Sequence, residues 1–269
     1  MSIRLIAIDM DGTLLNEHNL LTANTIATIK AAKTRGIKIV LCSGRPLTGL
    51  KAFFPQLGLV DPGDYAITYN GAMVQEADSG KVLLAHTLNY QQFLELTNLA
   101  NQLHVHSHAE DEANMYTPNR DISRYSVRES YLVNMPLFYR QPEEFAADKQ
   151  FAKVMFIDEP ELLAKAKAQI PQNFFDRYYF VNSEPFFLEA LNPKASKGNA
   201  VADLAAKLNL DLTEVMAIGD QANDLPMIQV AGLGVAMGNA IPEVKAAAQV
   251  ITATNAEDGV AQAIRQYAF

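Results

Sequence analysis

Leu5-Ile6-Ala7-Ile8-Asp9-Met10-Asp11-Gly12-Thr13 reads as a buried strand that breaks into a loop carrying two carboxylates. In an open α/β sheet, the edge where such strands end is where ligands bind. A carboxylate held there can ligate a divalent cation and can attack a phosphorus atom. A second carboxylate two residues on can manage the proton. This stretch alone points to phosphoryl transfer through an aspartyl-phosphate.

Outward from it, strand and helix alternate. Thr22 is placed to cap a helix whose Ile26 and Ile29 share one face, and Gly36 can end that helix. Ile37–Cys42 is a second apolar strand. Ser43-Gly44-Arg45-Pro46 then turns into a helix, with Pro46 suited to its first turn. Tyr65–Tyr69 is a third strand, Asn70-Gly71 signals a tight turn, and Met73-Val74 and Val82-Leu83-Leu84 flank Asp78-Ser79-Gly80 as a hairpin. Towards the other end come a helix over 198–208, the strand Val215–Ile218 and a helix after Asn223. The strand Leu233–Ala236, a helix from Pro242 and a closing helix from Gly259 complete the series. This order predicts a mostly parallel sheet covered by helices. Neither end alone supplies a full sheet, so residues 1–84 and 193–269 are expected to form one core, with 85–192 inserted into it.

The middle has a pattern of its own and holds most of the aromatic residues. Helices are expected over Tyr90–Gln102, Ile122–Val133 and Glu159–Ile170. Strands are expected over Leu103–His108, Ala152–Ile157, Tyr178–Asn182 and Phe186–Leu191. This is an α/β module with an antiparallel sheet, and its hinges to the core are expected near Leu84–Leu88 and Leu191–Lys194.

Composition narrows the chemistry. The 269 residues leave room for a large core and two domains. A formal net charge of −8 argues against nucleic acid as the partner, since a phosphate backbone wants a basic footprint. It does not argue against a small phosphorylated substrate, because one Mg²⁺ and one lysine reverse the local field. Cys42 is the single cysteine, so no intrachain disulfide can form. No signal segment and no membrane-spanning run is found, and the expected home is a reducing cytoplasm, with no membrane partner.

The loops after the core strands collect the polar chemistry. The first strand ends in Asp9 and Asp11, the second in Ser43-Gly44-Arg45, and Val215–Ile218 in Gly219-Asp220-Gln221-Ala222-Asn223-Asp224. Parallel strands put these ends on one edge. Mg²⁺ takes oxygen ligands, which Asp9 and Asp220 can supply with a backbone carbonyl of the first loop. Asp9 is positioned to attack phosphorus, and Asp11 to give a proton to the leaving oxygen and later take one from water. Ser43 and the amides beside it can bind phosphoryl oxygens. Lys197, at the start of its helix, can neutralise charge on the transferring group, and Asn223 and Asp224 can hold Lys197 or metal-bound water.

Four segments in order, Asp9-Met10-Asp11-Gly12-Thr13, Ser43-Gly44-Arg45, Lys197-Gly198 and Gly219-Asp220-Gln221-Ala222-Asn223-Asp224, resemble the four motifs of the haloacid dehalogenase superfamily. Tyr69-Asn70-Gly71-Ala72 and Gly234-Val235-Ala236-Met237-Gly238-Asn239-Ala240 agree with it. An insert between the second and third motifs resembles the class II (IIB) cap of the Cof-type branch, and the likeness is nearest to YidA-type sugar-phosphate phosphatases. The resemblance covers nearly the whole chain. It implies a Rossmann-like, mostly parallel α/β core with an inserted α/β cap, and a Mg²⁺-dependent phosphatase of small phosphorylated metabolites, acting as a monomer or homodimer. By motif position the catalytic residues are Asp9, Asp11 and Lys197. The substrate-binding residues are Ser43, Gly44, Thr13, Asn70 and Asn223, and the metal residues Asp9, Asp11, Asp220 and Asp224. The resemblance also implies a cap that closes over the core. The rival readings are a phosphomutase of the same superfamily and a ligand-binding regulator without turnover.

Other features receive plainer readings. His104, His106 and His108 alternate along an expected strand, a spacing that can bind zinc, but they are read as members of the insert's sheet. Gly232-Leu233-Gly234 with Gly238 has the wrong spacing for a dinucleotide loop. Cys42 is read as a buried small hydrophobe. Arg45 is read as a partner for a carboxylate and not as a catalytic group. In the insert, Arg120 and Glu189 are candidates for touching substrate or, equally, for surface salt bridges.

Overall fold

The computed structural model describes residues 2–269. In chain order it contains β1 (Leu5–Asp9), α1 (Ala23–Thr34), β2 (Lys38–Cys42), α2 (Phe54–Leu57), β3 (Tyr65–Thr68), β4 (Met73–Glu76) and β5 (Val82–Ala85). There follow β6 (Leu88–Asn89), α3 (Tyr90–Gln102), β7 (His106–Glu110), β8 (Met115–Thr117), α4 (Arg124–Val133), β9 (Leu137–Tyr139) and β10 (Gln150–Phe151). Then come β11 (Lys153–Ile157), α5 (Pro160–Ala168), α6 (Gln172–Phe175), β12 (Tyr179–Glu184) and β13 (Phe187–Leu191). The chain closes with α7 (Lys197–Lys207), β14 (Val215–Gly219), α8 (Leu225–Val230), β15 (Leu233–Ala236), α9 (Pro242–Ala247), β16 (Val250–Ile251) and α10 (Gly259–Tyr267).

Two compact units result, one from Met1–Ala85 with Ser196–Phe269 and the other from His86–Ala195. The first is built on an eight-stranded sheet in the order β16-β15-β14-β1-β2-β3-β4-β5. The strands from β16 to β3 are parallel, and β4 and β5 form an antiparallel edge. All five residues of β1 and of β14 are buried, as expected for central strands covered on both faces. Leu5, Ile6, Ile8, Leu41, Ile218 and Ile264 belong to its core; full burial of one such side chain contributes about 1.5–3 kcal/mol. The chain runs from β1 outward to β2 and β3, then returns as β14 on the other flank of β1. The order therefore reverses between β1 and β14, and at such a switch point a crevice opens beyond the carboxyl ends of the strands.

The second unit holds a six-stranded sheet, β12-β13-β11-β7-β8-β9, antiparallel except for the β8–β9 pair, and a small β10–β6 ribbon. Phe93, Leu96, Phe151, Val154, Phe156 and Leu188 form its core, with Phe93 stacked on Phe151 at a ring separation of 4.3 Å.

Two expectations shift. The strand expected over Leu103–His108 starts at His106, because Leu103 caps α3 and His104 takes the left-handed conformation (φ 55°) that ends the helix. His104 therefore lies outside the sheet. The helix expected after Pro46 breaks into a short turn at Leu47–Gly49 and the four-residue α2, since Pro55 cannot sit in a helix interior and begins a new one instead. Among the described residues no helix is long and apolar enough to cross a membrane.

Candidate active site

β1 and β14 pair in register through Ile8 and Ile218, so Asp9 and Asp220 emerge side by side at the switch point. On the other flank Asp9 pairs with Cys42, which brings Ser43 and Arg45 to the same rim. Just after Asp9, Met10–Leu14 makes one wide turn whose Gly12 adopts φ 82°. A Cβ on Gly12 would lie 2.6 Å from Asp220 Oδ2, so this position requires glycine for both conformation and space. Thr13 donates to Asp220 Oδ1 at 2.8 Å and Gln221 to Asp220 Oδ2 at 3.0 Å.

Lys197 enters as the first residue of α7, whose N-cap Ser196 accepts from the amide of Asn199. Its Nζ donates to Asp9 Oδ1 at 2.5 Å and to Asp224 Oδ1 at 2.7 Å. Asp224 uses its second oxygen to accept from the amides of Asp220 and Gln221, and so shapes the loop after β14. Asp9, Asp220, Asp224 and Lys197 are all buried. Oxygens of Asp9, Asp220 and Asp224 lie within 4.8 Å of one another. Burial, with the charge of Asp224, pushes the Asp9 carboxyl well above the usual range, while Lys197 pulls it back. Burial raises Asp220 too, against its hydrogen bonds from Thr13 and Gln221. Lys197 is held protonated: burial works against its charge, and Asp224 and Asp9 more than offset that. Three carboxylates around one ammonium leave the cluster short of positive charge. An oxygen-only donor set with that deficit fits a hard dication.

The loop after β3 ties the pieces together. Asn70 donates its amide to Ser43 O, and its side-chain oxygen accepts from Asn223 Nδ2 at 3.0 Å. Gly71, at φ 96°, faces the start of α7 so closely that a Cβ would sit 2.1 Å from Ser196 O. Gly44 passes against the Asn70 side chain. Ser43 Oγ accepts from the amide of Arg45 at 3.1 Å, and the hydroxyl keeps its proton to donate elsewhere.

One candidate stands apart. Asp11 is half-exposed and not one of the three clustered carboxylates. Its oxygens accept from Arg45 Nε at 3.0 Å and Nη2 at 2.5 Å. Thr13, expected at the substrate, donates its hydroxyl to Asp220. Sequence reasoning left Gln221 and Asn239 without roles. Asn239 donates to Gly12 O at 2.8 Å and braces the first loop, and its place in Gly238-Asn239-Ala240 was the available signal.

In the second unit, His106 pairs with Asp158. His108 is buried against Ser126, Glu110 and Met155, and burial holds its pKa below the usual value. Lys153 lies 3.4 Å from both Glu110 and Glu189, so Glu189 is a buried ion-pair partner. Glu129 beside them is pushed up to about 7 by burial. Arg120 reaches the Tyr139 hydroxyl. Cys42 is buried, and burial raises its thiol far above the reactive range.

Compared with known proteins, the chain matches the haloacid dehalogenase-like hydrolases over residues 6–264. It belongs to that family. The Bacillus subtilis (strain 168) protein YxeH is 48% identical over 263 residues, covering 98% of this chain and 97% of YxeH. The 5-amino-6-(5-phospho-D-ribitylamino)uracil phosphatase YcsE of the same organism is 32% identical over 270 residues, covering 99% of this chain and 96% of YcsE. A crystal structure of a haloacid dehalogenase-like hydrolase from Bacteroides thetaiotaomicron superposes with a TM-score of 0.86 at 31% identity, covering 98% of this chain and 99% of that one. Within the haloacid dehalogenase-like hydrolases this chain is a phosphatase, and phosphatases of the family generally use a metal ion.

Proposed function

We propose that the protein is a Mg²⁺-dependent phosphatase of small phosphorylated metabolites, sugar phosphates foremost, working through an aspartyl-phosphate on Asp9. The observation that carries this reading is the buried meeting of Asp9 with Lys197 at 2.5 Å, within ion-sharing distance of Asp220 and Asp224, at the sheet's switch point. The substrate of YcsE is a phosphate ester on a ribityl chain, which supports a polyol or sugar leaving group.

Asp9 and Asp220 would hold the ion, with Asp224 close enough to assist. When bound, Mg²⁺ supplies positive charge that offsets repulsion between the phosphoryl group and the surrounding carboxylates. The chain's own residues account for the rest. Asp9 attacks phosphorus as the bond to the leaving oxygen breaks, and Asp11 gives that oxygen its proton. Lys197 favours the ionised form of Asp9 against burial and faces the charge that builds on the transferring group. Ser43, Gly44, Asn70 and Asn223 line the phosphoryl side. Asp11 then takes a proton from water, which attacks phosphorus and breaks the Asp9–phosphorus bond, freeing phosphate. We assign selection of the leaving group to residues 86–195. The single, buried cysteine supports a reducing, cytoplasmic setting.

The test is phosphate release from a panel of sugar and polyol phosphates, with Mg²⁺ and with excess chelator. Metal-dependent release, with ³²P trapped on protein at early times, supports the reading. Release unaffected by chelator, or conversion of a sugar phosphate to its isomer without free phosphate, overturns it.

A further inference from the structure

We infer that Arg45 is a positioning residue for Asp11, acting on departure of the leaving group. The inference rests on the reading just given and gives a part in the reaction to a residue that the sequence marked only as a carboxylate's partner. Asp9 and Cys42 are paired across β1 and β2, so Asp11, two residues on, and Arg45, three residues on, leave adjacent strand ends together. The guanidinium meets the carboxylate fork to fork, through Nε at 3.0 Å and Nη2 at 2.5 Å. A two-point contact of this kind sets direction as well as distance.

Asp11 needs such a hold. Its carboxylate is half-exposed and follows a turn through the left-handed Gly12, and among the described residues Arg45 is the only side chain that grips it. Every other acidic group of the site is held by partners of its own. Asp9 is tied to Lys197, Asp220 to Thr13 and Gln221, and Asp224 to Lys197 and two backbone amides. Arg45 is itself anchored. Its amide donates to Ser43 Oγ and its carbonyl accepts from the amide of Tyr69. The hold on Asp11 is therefore referenced to the loop that carries Ser43, and a phosphate seated on Ser43 meets the acid/base carboxyl group in a set direction. A misplaced acid costs most when the leaving oxygen cannot depart without a proton.

That dependence supplies the test. kcat/KM reports only the steps through loss of the leaving group, so later hydrolysis of the aspartyl-phosphate does not enter it. It is measured with p-nitrophenyl phosphate, whose leaving group departs unaided, and with a primary alkyl ester such as glycerol 3-phosphate. The proteins are wild type, Arg45→Ala, Arg45→Lys, Asp11→Asn and the double variant Arg45→Ala, Asp11→Asn. Arg45→Ala is expected to lose at least about tenfold more on the alkyl ester than on the aryl ester, since a positioned acid is worth roughly 10²–10⁴. Arg45→Lys is expected to recover part of that difference. In the Asp11→Asn background, Arg45→Ala is expected to add little further loss on the alkyl ester, the non-additivity of a residue acting through its neighbour. Equal losses on the two esters, or additive losses in the double variant, assign Arg45 to general phosphate binding and overturn the inference. Wild-type protein that releases phosphate from neither ester overturns the phosphatase reading itself.

Discussion

Replacing Lys197 with methionine removes the one cation from a buried carboxylate cluster while keeping side-chain length. The ammonium lies 2.5 Å from Asp9 Oδ1 and 2.7 Å from Asp224 Oδ1. Lys197 is 1% exposed, Asp9 6% and Asp224 0%, so bulk water screens the stranded charges little. Removing one partner of a buried ion pair costs about 3–5 kcal/mol, because the remaining charge is left uncompensated. For a unit of this size each kcal/mol moves the melting temperature by about 2–4 °C, so the expected fall is roughly 6–20 °C. Loss of one preorganised group facing the transition-state charge is expected to lower turnover by about 10²–10³. Thermal unfolding is measured in excess chelator, which removes any contribution from metal, and phosphate release at saturating Mg²⁺. Adding Asp9→Asn to Lys197→Met removes one of the stranded charges and is expected to restore part of the lost stability. A Lys197→Met protein that melts with wild type in chelator, or a double variant less stable than the single one, refutes the reasoning.

Three further outcomes are expected. Asp9→Asn abolishes phosphate release while melting at or above the wild-type temperature, since it relieves a carboxyl whose charge is opposed by burial and by Asp224; retained turnover would remove Asp9 as nucleophile. Gly71→Ala places a Cβ 2.1 Å from Ser196 O at φ 96°, which adds about 1–2 kcal/mol of backbone strain to the clash. Circular dichroism melts and kinetics should then report lower stability and at least about a tenfold loss of kcat, because the start of α7 carries Lys197. Asp258 accepts from Thr22, Asn24 and Thr25, and the Thr22 hydrogen bond above all holds its carboxyl below the usual range. Its contribution to stability is therefore complete above the unfolded value of about 3.9 and is lost as pH falls through the lower folded value. Urea unfolding of wild type and Asp258→Asn should differ at pH 7 and converge in acid; a gap that persists at low pH contradicts this.

Much of the core was legible along the chain because its strands are continuous apolar runs bounded by turn chemistry. Leu233–Ala236 is found where it was expected, and the hairpin around Asp78-Ser79-Gly80 forms with β4 and β5 on either side. The elements that escaped are short: β8, β9 and β16 have only two or three residues, too few to show a period. The end of α3 escaped for another reason. His104 is neither the glycine nor the asparagine that usually marks the left-handed end of a helix, so its cue is weak.

By itself the sequence determined which residue types stand at the ends of which strands, and hence that Asp9, Ser43 and Asp220 would share a rim once those strands ran parallel. That follows from local periodicity and the handedness of crossover connections, which need no knowledge of side-chain direction. Only the tertiary structure decided the division of labour among the carboxylates: Asp224 bonded to Lys197 and the backbone, Asp220 to Thr13 and Gln221, and Asp11 to Arg45. Side-chain direction depends on partners tens to hundreds of residues away and on a single left-handed glycine, and neither leaves a periodic trace in the chain.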